Sequence, residues 1–214
     1  MSLSEIHKIL AGHIRSHRLL TCAVNRELKA LWFKNSRTAG TSMYRGILKN
    51  SQTGWITEKD ETADYHRWLE DIYTGREDLT HYGTWTFVRN PWERILSVYM
   101  RFHGELFFCD FDTFIIRRFY GETTKLLVDT YPQYNAAYTR AGIRISDFIG
   151  RFENLKHDWA IVAKSLGVPE DLPHENQSYH GHYSQYYNAQ TRDIISKIYA
   201  REIKKFNYRF EDHE

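Results

Sequence analysis

The stretch Leu28-Lys29-Ala30-Leu31-Trp32-Phe33-Lys34-Asn35-Ser36-Arg37-Thr38-Ala39-Gly40-Thr41-Ser42-Met43 decides the fold. Leu28 to Phe33 is apolar and compact enough for a buried strand. It runs into a turn of small polar residues, Asn35 to Ser42. Met43, Ile47 and Leu48 then open a helical pattern. A strand–turn–helix of this kind gathers backbone N–H groups at one point. The helix adds its orphan amides and the positive end of its dipole, so an anion is favoured there. Arg37 supplies a permanent charge, and Thr38, Thr41 and Ser42 supply hydroxyl donors. A plain βα turn with a capped helix fits the same spacing. The Walker A pattern GxxxxGK[ST] is absent, which speaks against an ordinary ATPase or GTPase.

A second strand–turn–helix is centred on Phe87-Val88-Arg89-Asn90-Pro91-Trp92-Glu93-Arg94-Ile95-Leu96-Ser97-Val98-Tyr99. Thr84 to Val88 is β-rich and stops at Arg89-Asn90-Pro91. Pro91 suits the first turn of a helix, and Glu93 suits its dipole. Arg89 therefore sits at the carboxyl end of a strand, where open α/β sheets bind ligands. Ser97 lies two turns into the helix, so a guanidinium and a hydroxyl can reach one phosphate. Taken singly, each residue reads more readily as a surface arginine or a packed helical serine.

Outward from these segments, Ile6, Ile9, Leu10 and Ile14 fall at helical spacing, and Asp64 to Tyr73 and Asp112 to Tyr120 read as helices. Residues 50 to 61 read as a polar loop, and residues 121 to 142, broken by Pro132, fit no period. Ile143 to Phe152 reads as extended. Leu155 to Leu166 is helical, with Gly167 placed to cap it. Residues 169 to 187 form a polar loop rich in His and Tyr, and Thr191 to Phe206 closes the chain as one helix. Strands alternating with helices predict an α/β fold with a central, mainly parallel sheet flanked by helices. The 214 residues carry no repeat or linker, so one domain is expected over 1–214, with 1–20 as an N-terminal helix or extension.

Composition narrows the function. A net charge of +2 removes the main electrostatic argument for a nucleic-acid binder. Two cysteines, Cys22 and Cys109, make neither a disulfide framework nor a zinc spacing, and no metal is expected. No apolar run is long enough to span a membrane and no leader pattern opens the chain, so a cytoplasmic setting is the expectation. Aromatic residues reach 15%, enough to build the core and also line a sugar- or ring-binding cleft.

The two segments together resemble the carbohydrate sulfotransferases that use 3′-phosphoadenosine 5′-phosphosulfate, the group that includes heparan sulfate 2-O- and chondroitin sulfotransferases. The family's 5′-phosphosulfate loop reads PKTGSTS, against Ser36-Arg37-Thr38-Ala39-Gly40-Thr41-Ser42 here. Its 3′-phosphate motif reads RDPxERLxSxY, against Arg89 to Tyr99. Ile149-Gly150-Arg151-Phe152-Glu153-Asn154-Leu155 is similar to the family's GRFENL segment. Leu172-Pro173-His174-Glu175-Asn176 and Phe206-Asn207-Tyr208-Arg209-Phe210 are similar to it as well. The likeness covers residues 28 to 210.

The resemblance implies a P-loop-like, three-layer fold and in-line sulfuryl transfer to a hydroxyl acceptor, a saccharide in the first instance, with adenosine 3′,5′-bisphosphate as product. It places Arg37, Thr38, Ala39, Gly40, Thr41 and Ser42 on the 5′-phosphosulfate, and Arg89 and Ser97 on the 3′-phosphate. Arg37 stands where the family has a lysine; it keeps the charge but cannot readily donate a proton. Lys34 lies on the strand side of the turn and does not match the motif.

A general base is still required, and histidine suits it near neutral pH. Candidates are His66, His81, His103, His174, His180 and His182, with Glu58, Glu61 and Asp64 as carboxylate rivals. His66 leads because it lies 23 residues before Arg89, the spacing of the base in the 2-O-sulfotransferase branch. A surface position on a charged helix fits His66 equally well. His180-Gly181-His182 lacks a third metal ligand at workable spacing, and Tyr183, Tyr186 and Tyr187 read as core or cleft wall. A non-catalytic nucleotide- or glycan-binding module on the same fold is the alternative, and a nucleotide kinase is disfavoured.

Overall fold

The computed structural model describes residues 2–16, 21–50, 55–57, 63–74, 76–103, 108–121, 128–172 and 181–211. Helix α1 (Leu3–Ser16) leads into strands β1 (Thr21–Asn25) and β2 (Ala30–Lys34), then α2 (Gly40–Asn50), β3 (Trp55–Thr57) and α3 (Ala63–Tyr73). Strand β4 (Gly83–Val88) is followed by α4 (Pro91–Phe102), α5 (Phe111–Tyr120) and the single turn α6 (Tyr134–Ala137). Strand β5 (Phe148–Arg151), α7 (Leu155–Leu166), α8 (Ala189–Ile198) and α9 (Ala200–Phe206) complete the order.

The sheet runs β3-β1-β2-β4-β5. The pairs β2–β4 and β4–β5 are parallel. On the other side, β1 pairs antiparallel with both β2 and β3. The expected parallel core is therefore the β2–β4–β5 half, where both motif-bearing strands lie side by side.

Side-chain alternation explains the layering. Cys22, Val24, Leu31 and Phe33 point to one face, where Leu10, Ile14, Trp68 and Ile72 of α1 and α3 cover them. Ala23, Trp32, Trp85 and Phe87 point to the other and pack against Met43 and Ile47 of α2 and Trp159 and Val162 of α7. Trp32 and Trp85 stack across the parallel pair with ring centroids 4.7 Å apart. A third cluster joins α4, α5, α8 and α9 through Ile95, Leu96, Phe114, Ile195 and Tyr199. This is a three-layer α/β arrangement with both faces of the sheet buried, as parallel strands require.

Helix ends follow local chemistry. Asn90 caps α4 by accepting from the N–H groups of Trp92 (3.1 Å) and Glu93 (3.5 Å), with Pro91 in the first turn. Asp110 caps α5 through Thr113 N–H at 2.8 Å. Gly167 ends α7 in the left-handed region at φ 66°.

Four expectations need correction. Leu28 is 47% exposed and lies in the turn before β2, which begins at Ala30. The supposed loop at 50–61 contains β3, a three-residue edge strand. The extended run expected from Ile143 narrows to Phe148–Arg151, followed by a 3-10 turn at Phe152–Asn154. The final helix is two helices, because Tyr199 leaves helical geometry at φ −104°, ψ 18°. No described helix is long and apolar enough to cross a membrane.

Candidate functional site

The first turn is held at both ends. The buried Asn35 at the end of β2 donates from Nδ2 to Thr86 Oγ1 (3.1 Å) and to the Phe87 carbonyl (2.9 Å), tying the turn to β4. The Thr38 hydroxyl donates back to the Asn35 carbonyl at 2.8 Å. Between these anchors Arg37 (φ 64°) and Ala39 (φ 63°) adopt left-handed backbone. Each such residue costs about 1–2 kcal/mol when it carries a side chain. Strain of this kind concentrates where a ligand is gripped. Helix α2 begins directly after it. Its first intrahelical bond runs from Met43 N–H to the Ala39 carbonyl at 3.1 Å. The N–H groups of Gly40, Thr41 and Ser42 therefore have no acceptor within the helix. Left-handed turns leading into orphan amides and a helix dipole make an anion nest.

The second turn arrives beside it because β4 lies parallel to β2. Arg89, 5% exposed at the end of β4, donates from Nη1 to the Arg37 carbonyl at 3.1 Å and from Nη2 to Glu93 Oε1 at 2.9 Å. Its guanidinium lies 3.9 Å from the centre of the Phe152 ring, and its buried Nε has no hydrogen-bond partner. Arg37 in turn donates from Nε to Ser97 Oγ at 3.0 Å. Ser97 is fully buried on α4. Burial, and next the neighbouring Arg89 charge, lower the pKa of Arg37 from its usual value, while Asp129 opposes them. Ser97, Arg37 and Arg89 thus form one connected chain of side chain and backbone.

Four further residues brace the site without having been assigned a role from the sequence. Gln133, fully buried, grips both sides of the Arg89 backbone. Its Oε1 accepts from Arg89 N–H at 2.7 Å, and its Nε2 donates to the Arg89 carbonyl at 2.9 Å. The same Nε2 donates to Glu202 Oε1 at 3.0 Å. Glu202 also accepts from Tyr134 N–H at 3.2 Å and lies 4.0 Å from the buried Arg94. Glu153 accepts from Asn90 N–H at 2.5 Å and from the Tyr208 hydroxyl at 3.1 Å, so the two segments flanking β5 and the C-terminus brace this turn. Asp129 Oδ1 accepts from the Ser36 hydroxyl at 2.5 Å. Beside the Asn90 turn lies a cavity of about 320 Å³ bordered by Glu93, Arg151, Glu153, Tyr183 and Tyr208.

Of the candidate bases, only His81, His103 and His182 have described side chains. His66 and Asp64 lie on α3, but their side chains are outside the described residues, as are Glu58, Glu61, His174 and His180 altogether. His81 is exposed. His103 packs on the Tyr99 ring at 4.9 Å. His182 caps the 3-10 turn Tyr183–Tyr186, accepting from Ser184 N–H at 3.4 Å. Lys34 sits over the Trp32 and Tyr44 rings. Tyr187 donates to the Trp92 carbonyl at 2.8 Å, and Tyr183 accepts from Glu211 N–H at 2.7 Å, so these tyrosines are core and wall. Among the described residues no group of three His, Cys, Asp or Glu is arranged to hold a metal ion.

The model of the sulfotransferase family matches residues 16–209. The chain belongs to the sulfotransferase family. Within curated members of known proteins, this sulfotransferase-family chain is 28% identical over 204 residues to carbohydrate sulfotransferase 14 of Danio rerio, covering 80% of this chain and 53% of that protein. It thus spans about half the length of that relative. It is also 30% identical over 107 residues to an uncharacterized protein of Archaeoglobus fulgidus, covering 49% of this chain and 84% of the other. No solved structure gives a significant match.

Proposed function

We propose that the chain transfers a sulfuryl group from 3′-phosphoadenosine 5′-phosphosulfate to a hydroxyl of a carbohydrate acceptor. The observation that carries this reading is the junction at Arg37, whose carbonyl accepts from Arg89 and whose Nε donates to Ser97. Two turns built for anions meet at one residue, and a bisphosphate nucleotide has two anionic ends to offer them. The unpartnered Arg89 Nε and the amides of Gly40 to Ser42 fit such a ligand.

In this reading the turn from Arg37 to Ser42 holds the 5′-phosphosulfate, and Arg89 with Ser97 holds the 3′-phosphate. The donor supplies the activated sulfuryl group. The protein's own task is positioning and charge stabilisation, as in phosphoryl transfer. Negative charge grows on the bridging oxygen as the bond to sulfur breaks. Arg37 and the α2 amides face that charge with fixed donors. A guanidinium stays protonated in proteins, so Arg37 stabilises without giving up a proton. His66 is the candidate base that the resemblance offers. The sulfotransferase family model and the carbohydrate sulfotransferase relative support a sugar acceptor.

A thermal-shift comparison tests the reading. Adenosine 3′,5′-bisphosphate at 100 times its Kd stabilises the fold by about 2.7 kcal/mol, and ATP at equal concentration by far less. Equal shifts with both nucleotides contradict the donor assignment. Arginine at the loop-lysine position favours one second reading, a nucleotide-binding module without turnover. Radioactive sulfate transfer to desulfated chondroitin and heparan separates the two.

A further inference from the structure

Among the described residues, Asp129 is the carboxylate hydrogen-bonded to the turn that precedes α2. Its Oδ1 accepts from the hydroxyl of Ser36, the residue before Arg37, at 2.5 Å. A negative group at the rim of a site shaped for anions costs affinity for them, so it needs a compensating role. Its charge favours the protonated form of Arg37, but among the described residues no hydrogen bond or ion pair joins the two. Its Oδ2 has no hydrogen-bond partner among the described residues, and the residue is half-buried.

Among the described residues, the carboxylates around the second turn brace that turn and the residues that hold it. Glu93 is paired with Arg89. Glu153 uses one oxygen on Asn90 N–H and the other on Tyr208. Glu202 is buried and holds Gln133 and Tyr134. Asp129 is also held in place. Arg94 Nη1, from the same helix as Ser97, donates to the Asp129 carbonyl at 2.9 Å. The Tyr199 hydroxyl donates to the next carbonyl, that of Thr130, at 2.6 Å. A fixed backbone presents a half-exposed carboxylate at the loop, and pre-positioning of this kind is what proton transfer requires.

We propose that Asp129 is the base that takes the proton from the acceptor hydroxyl. This rests on the sulfuryl-transfer reading above. The acceptor oxygen bonds to sulfur as the bond from sulfur to the bridging oxygen breaks. That electron pair leaves with the 5′-phosphate of the nucleotide. The hydroxyl proton passes to Asp129 Oδ2, and then to solvent when the sulfated product departs. Ser36 holds Oδ1 and so aims the second oxygen.

Asp129→Asn keeps the size and an acceptor for Ser36 but cannot take the proton. Two reactions are compared in the full chain. One is sulfate transfer from the donor to desulfated chondroitin or heparan. The other is exchange between p-nitrophenyl sulfate and adenosine 3′,5′-bisphosphate, in which p-nitrophenolate leaves without a proton. The expected result is a loss of about 100-fold or more in the first reaction, with the second not reduced by more than about threefold and the nucleotide thermal shift at least as large as in the wild type, because a repelling charge is gone. Asp129→Glu, which restores a carboxylate, recovers about tenfold or more of the loss. Equal losses in both reactions, or no loss in either, overturn the proposal. So does an acceptor-selective loss that appears in His66→Ala and not in Asp129→Asn. A wild-type chain that neither exchanges sulfate nor is stabilised by the bisphosphate refutes the donor reading itself, and this role with it.

Discussion

The guanidinium of Arg37 donates from Nε to the hydroxyl of Ser97 at 3.0 Å, across 60 residues of sequence. Arg37 sits at a left-handed position in the first turn, and Ser97 is sealed inside α4. The contact therefore couples the conformation of the anion nest to the helix that follows the second turn.

Removing the Ser97 hydroxyl should loosen that coupling. Ser97→Ala leaves a half-buried charged donor without its acceptor, a loss of about 1 kcal/mol. Urea denaturation should show it as a lower midpoint with an unchanged slope. Affinity for adenosine 3′,5′-bisphosphate should fall by about tenfold, since about 1.4 kcal/mol of binding is at stake. Unchanged stability together with unchanged affinity would show the contact to be incidental.

Gln133 governs the backbone of Arg89 with three hydrogen bonds in a fully buried place. Gln133→Leu strips partners from an N–H, a carbonyl and the Glu202 carboxylate. Each orphaned group costs about 1–3 kcal/mol, so the stability loss should reach about 3 kcal/mol or more. A loss under about 1 kcal/mol in chemical denaturation would mean that water or another side chain replaces the clamp.

Glu202 gives the fold a pH dependence. Burial raises its pKa above the usual glutamate range, against the lowering effects of Arg94 and of the donors from Gln133 and Tyr134. A carboxyl group raised in the native state contributes stability that is fully present below its unfolded pKa and is lost as pH rises through its native pKa. The stability of the wild type relative to Glu202→Gln should therefore fall from acidic towards neutral pH. Urea midpoints of both proteins across that range give the measurement. A difference that stays level, or grows with pH, contradicts the assignment.

Gly150 leaves room for a neighbour. A Cβ there would stand 2.5 Å from Cε1 of the buried Phe87 ring. Phe87 is fixed in the core between Trp85 and Phe148. Gly150→Ala should cost about 1–3 kcal/mol through overpacking. Its thermal midpoint should drop by several degrees, and a wild-type midpoint would show that the ring can move aside.

The parts legible in the sequence were those with local causes. The cap at Gly167, the first-turn Pro91, and the two strand–turn–helix units each depend on a few adjacent residues. Arg37, Arg89 and Ser97 could be chosen because strand ends and helix starts are recognisable, and the resemblance added order and spacing. Strand β3 was hidden because three edge residues carry no period. The break at Tyr199 has no glycine or proline to mark it; the Tyr199 hydroxyl is instead bonded to the Thr130 carbonyl, 69 residues away. Gln133 and Asp129 lie in the stretch around Pro132 that follows neither a helical nor a strand period. Their partners, Arg89 and Ser36, are 44 and 93 residues distant. Contacts of that range leave no local pattern, although the buried polar Gln133 shows its importance once the fold is known.

Calorimetric titration of adenosine 3′,5′-bisphosphate into the wild type and Arg89→Ala is the most direct measurement of a single nucleotide spanning both turns. The account predicts binding at one site per chain in the wild type, at least about 100-fold weaker in the variant, as expected for losing about 3 kcal/mol of charged hydrogen bonding. Equal affinity in both proteins, or no binding to a folded wild type, would contradict it.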